Sequence, residues 1–77
     1  MNYTDYVLIK ISKLSIYDLA NCELDACKMR KSQNAGEQSI GESYMTAICT
    51  LLKSKNHDYL RKYSSIRSML NGQKRIY

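Results

Sequence analysis

Cys22, Cys27, Cys49 and His57 are the residues of this 77-residue chain whose types could hold a metal, and together they match the ligand count of a Cys₃His zinc site. Their spacing speaks against one. Cys22 and Cys27 lie five apart in a segment that reads as helix, which turns them ~140° away from each other, whereas structural zinc pairs converge on a tight turn. The expectation is three small thiols packed in the core, with no metal and no cofactor. His57 is the only histidine, so acid–base chemistry near neutral pH would lean on it or on a shifted carboxylate. It stands beside Asp58 at a polar helix start, and no Ser-His-Asp order, nucleophile elbow or pair of inward carboxylates accompanies it. The chain therefore reads as a non-enzyme with no catalytic residue. In "KSQNAGEQ", residues 31–38, Gly36 stands without the downstream Gly-Lys-Ser/Thr pattern of a phosphate cradle, so this stretch reads as a connector.

Charge layout is more informative than any of these. Residues 1–42 hold 5 basic and 6 acidic side chains, a net of −1, and residues 43–77 hold 7 basic and 1 acidic, a net of +6, which together give the +5 of the whole chain. The candidate partner-binding residues are accordingly Lys53, Lys55, Arg61, Lys62, Ser65, Arg67, Lys74 and Arg75. Arginines and small hydroxyls on one helix face suit an acidic protein groove or the phosphates and base edges of nucleic acid. Two functions follow. One is an inhibitor or adaptor that occupies an acidic or nucleic-acid-binding site on a larger protein, a reading that seven tyrosines favour, because tyrosine supplies contact area with a polar tip. The other is a nucleic-acid-binding regulator that places the 57–70 helix in the major groove, helix-turn-helix fashion.

These side chains need helices to carry them. Ser39 followed by Glu42 is a capping box, and Ile40, Tyr44, Ala47, Ile48 and Leu51, widened by Met45 and Leu52, make one apolar face of a helix ending near 53–56. That helix is expected to be the most buried. Tyr59, Tyr63, Ile66 and Leu70 share a narrow arc of the next helix, and Gly72 stands where a left-handed C-cap wants no Cβ. A short connection around Asn56 pairs the two as an αα-hairpin, followed by a basic tail over 71–77. Ser15 and Asp18 open a helix over 16–32 with two apolar strips, Ile16-Tyr17-Ala20-Leu24-Cys27 and Leu19-Cys22-Ala26-Met29, so it needs two neighbours. "YVLIKIS" alternates like a strand, yet Val7, Leu8, Ile11 and Leu14 share a helical face, and with no partner strand in the chain helix is the expectation for 5–14.

The fold class is therefore all-α, a single small bundle of three to four helices over 1–77. A core of Ile40, Tyr44, Ile48, Leu51, Leu52, Tyr63, Ile66 and Leu70 is expected. A chain this short buries only about 60% of its unfolded surface, and one side of the two-stripped 16–32 helix could take a second copy, so a homodimer is expected. No apolar run is long enough to span a membrane, and "MNYTDYVLIKISK" carries Asp5 ahead of its short apolar stretch, unlike a signal peptide, which points to the cytoplasm. Lys, Asn, Ile and Tyr fill 8, 5, 7 and 7 positions, 27 in all, a bias expected of an AT-rich gene such as a phage or acquired element carries.

Overall fold

The computed structural model describes residues 2–75, the side chains of residues 74 and 75 excepted. Four α-helices follow in order, α1 (Tyr3–Ile11), α2 (Ile16–Arg30), α3 (Ala35–Lys53) and α4 (His57–Arg75), with no strand among the described residues. The chain is all-α, as its periodicities predict, and the ambiguous N-terminal segment is helix.

Each helix starts on a side chain that takes the backbone N–H of the third helical residue, one of the groups the first turn leaves unpaired. Asn2 accepts from Asp5, Ser15 from Asp18, Asn34 from Glu37 and Asn56 from Tyr59, at 2.8 to 3.1 Å. An acidic residue stands in every first turn, Asp5, Asp18, Glu37 and Asp58, where it suits the positive end of the helix dipole. The cap of α3 is thus Asn34, not Ser39. Asn34-Ala-Gly-Glu37 carries the same signature as Ser39-Ile-Gly-Glu42, and the earlier start adds a turn whose Gln38 amide donates back to the Ser32 carbonyl at 2.5 Å. Only residues 31–34 are left to connect α2 to α3. Gly72 does not end α4 either, and helical backbone runs on to Arg75. Gln73, Lys74 and Arg75 are good helix formers, and the residue after the expected cap offers no apolar contact to hold a left-handed turn.

α2 and α3 pack on one another at the centre, with α4 on α2 and α1 on α3, giving a body of 35 × 33 × 15 Å. α3 and α4, expected to pair as an αα-hairpin, are joined by the short turn at 54–56 but pack on α2 rather than extensively on each other. The two strips of α2 are therefore both satisfied within one chain, so they give no reason of their own for a second copy. The core is Val7, Ile11, Leu19, Ala20, Ala47, Ile48, Tyr63 and Leu70, with Tyr44, Leu51, Leu52 and Ile66 half-buried against it. Ile40 is exposed, because it stands at the rim of the α2–α3 seam where a cleft opens beneath Tyr3.

Gly41 explains how closely α2 and α3 approach. A Cβ there would lie 2.8 Å from the Ala26 carbonyl oxygen and 2.8 Å from the Arg30 amide nitrogen, both backbone atoms of α2. Ala26, whose carbonyl Gly41 meets, is itself buried. A Cβ at Gly72, by contrast, meets nothing within 4 Å.

Candidate interaction surface

α4 turns one face inward and keeps the other in water. Tyr59, Tyr63, Ile66 and Leu70 fall within ~60° of arc and face α2, which leaves Arg61, Ser64, Ser65 and Ser68 within ~100° on the opposite side. All four of those outer residues are exposed, as are His57 at the helix start and Lys62 on one flank. Of the predicted binding residues, Arg61, Lys62 and Ser65 therefore share one surface. Lys53 is exposed at the end of α3, and the Lys55 ammonium lies 4.9 Å from the centroid of the Tyr59 ring, a cation–π contact at the turn. The side chains of Lys74 and Arg75 lie outside the described residues.

Arg67 belongs to the fold as well as to the surface. Its guanidinium donates to Glu23 Oε2 at 2.7 Å, and the Tyr63 hydroxyl donates to Glu23 Oε1 at 2.5 Å. The Glu23 side chain is 8% exposed against 52% for Arg67, so the carboxylate is buried and its cation reaches it from the surface. The triad gives both carboxylate oxygens a donor, and among the described residues no buried side-chain nitrogen or oxygen lacks a partner. Composition alone hides Glu23. Its position on the inward arc of α2, between Leu19 and Ala26, and the Tyr63/Arg67 pair at i, i+4 on α4 were the available signals.

Burial, then the hydrogen bond to Glu23 and its charge, push the Tyr63 phenol well above the ordinary 10.0, against a smaller opposing pull from Arg67. Burial also raises Tyr59. A raised phenol keeps its proton in the folded chain at a pH where the unfolded chain has lost it. The unfolded state then binds fewer protons, so stability is whole below pH ~10 and falls above it, by up to ~1.4 kcal/mol per pH unit for buried Tyr63 and by less for the partly exposed Tyr59. Denaturant titrations between pH ~9 and ~11 should show this decline, and Tyr63→Phe should remove most of it.

The thiols do not converge. Cys22 and Cys27 are half-buried, with Cys27 Sγ 3.9 Å from Met45 Sδ, and Cys49 is exposed on the outer side of α3, so the expectation of three core cysteines fails there. Cys49 follows the apolar Ile48 in sequence but faces ~100° away from it, off the buried arc. Burial pushes the Cys22 thiol up, Asp25 adds to the shift and Lys10 opposes it. Among the described residues no three of His, Cys, Asp and Glu are grouped as metal ligands, and no helix is long and apolar enough to cross a membrane. Comparison of the chain with family models, with known proteins and with solved structures finds no match.

Proposed function

We propose that this chain is a small non-enzymatic interaction protein, an inhibitor or adaptor that acts in the cytoplasm by docking the outer face of α4 on an acidic groove of a larger protein. The supporting observation is a division of labour on one helix. Arg61, Lys62, Ser64, Ser65 and Ser68 are exposed, whereas the inward residues and Arg67 hold α4 to α2. A face with cations and hydroxyls in water is suited to carboxylates, which bring charge complementarity and steer association. The Lys-, Asn-, Ile- and Tyr-rich composition fits a gene carried by a phage or other mobile element.

Nucleic acid is the second reading, favoured by the same hydroxyls. It is the weaker one on charge count. Arg67 is paired with Glu23, so Arg61 and Lys62 are the cations left on the described outer face of α4, with Lys53 and Lys55 at the neighbouring turn. Four phosphate contacts give a salt slope of only about −3.6, against the 6–10 contacts of a tight duplex binder. α4 is also carried by α2, whereas a helix-turn-helix reader is braced by the helix before it.

A gel shift with duplex DNA at ~150 mM salt separates the two. The expected result is sequence-independent binding no tighter than about 10⁻⁴ to 10⁻⁶ M. Sequence-specific binding at nanomolar protein would replace the protein-partner reading with the nucleic-acid one.

A further inference from the structure

The α4 face is not the only unpartnered surface. Tyr3, Tyr6 and Ile9 follow one another at intervals of three along α1 and are 49, 57 and 49% exposed. The Tyr3 and Tyr6 rings stack with centroids 6.3 Å apart. Tyr3 also forms one wall of a cleft of about 270 Å³ between α2 and α3, whose other walls are Cys22, Asp25, Ala26, Met29, Ile40 and Tyr44. Strip and cleft thus meet at Tyr3 in a largely apolar patch across three helices, with Asp25 as the one carboxylate in the cleft wall and the most exposed ring, Tyr6, stacked on Tyr3 at its edge.

We propose that this patch is a two-fold interface with a second copy of the chain, Tyr6 of each copy seated over the cleft of the other. Three properties select a second copy over an unrelated partner. A projecting ring and a hollow side by side on one patch are self-complementary, which is what an isologous two-fold contact requires. Charge permits the approach. Two chains of net +5 repel, but the patch is drawn almost wholly from residues 1–42, whose net charge is −1, while the excess positive charge lies in residues 43–77. Area suits a weak dimer. Tyr3, Tyr6, Ile9 and Ile40 leave roughly 350 Å² of surface in water. That is less than the ~800 Å² per partner of a standard interface and falls in the range of weak, concentration-dependent association. Such a dimer would carry two α4 faces, making its engagement of a repeated acidic target bivalent.

Sedimentation at ~150 mM salt across the micromolar range tests this. The wild-type mass should rise from 8.9 kDa toward twice that value as concentration increases. Tyr6→Asp should weaken self-association about tenfold or more while helicity by circular dichroism stays unchanged, because Tyr6 is the most exposed large apolar residue. Ile9→Lys, on the same strip, should do the same and serves as the deciding variant if Tyr6→Asp loses helicity. A wild-type chain fixed at 8.9 kDa overturns the proposal, and so does a dimer that both variants leave intact.

Discussion

Gly41→Ala should destabilise the chain by about 2 kcal/mol, and Gly41→Leu should leave it unfolded. An added methyl would stand 2.8 Å from two backbone atoms of α2, and backbone cannot rotate aside as a flexible side chain can, so α2 and α3 must separate along their seam. Overpacking of this kind costs about 1–3 kcal/mol, at the upper end here because both obstacles are main chain, and the helix propensity of alanine returns about 0.5–1 kcal/mol. Gly72→Ala isolates that second term. Its added methyl meets nothing within 4 Å, so it should stabilise by about 0.5–1 kcal/mol. Urea unfolding of both variants checks the contrast, and equal effects of the same sign would mean that α2 and α3 do not cross at Gly41.

Arg67→Met should cost about 2–3 kcal/mol although Arg67 is half exposed. The substitution keeps much of the aliphatic stem and removes one of the two donors to a carboxylate that is 8% exposed. Stranding a buried charge completely costs about 3–5 kcal/mol, and the Tyr63 hydroxyl, still bonded to the other oxygen, moderates the loss. Replacing the whole triad, Glu23→Leu with Tyr63→Phe and Arg67→Met, should recover most of that stability, since removing every polar partner strands none. A triple variant markedly less stable than Arg67→Met alone would show that the triad stabilises the fold beyond satisfying its own members.

Helix starts were readable because they depend on local chemistry. Ser15-x-x-Asp18 and Asn56 both act as caps where their types suggest it. Two overlapping signatures, Asn34-x-x-Glu37 and Ser39-x-x-Glu42, were not separable by pattern, and the first one caps. The inward arc of α4 was legible from Tyr59, Tyr63, Ile66 and Leu70, as was the need of α2 for two neighbours. Which neighbours was not legible. α2 meets α3 at Ala26 and Gly41, residues too small to register in an apolar period, so the pattern that marks α3 as central does not show which helix it is laid against. The same bias assigned Arg67 wholly to a binding surface, because a one-dimensional reading sees a cation on a helix flank but not the carboxylate buried opposite it, 44 residues away.

On the proposed function, the outer face of α4 is kept for a partner and contributes nothing to the fold. The most direct measurement compares the Arg61→Glu/Lys62→Glu double variant with the wild type in two readouts, thermal unfolding and capture of the acidic partner from an extract of cells that express the chain. The expected result is stability within about 0.5 kcal/mol per substitution of wild type, as for surface residues without structural partners, together with loss of capture. Capture that survives both charge reversals, or a melt lowered as far as that of Arg67→Met, would contradict it.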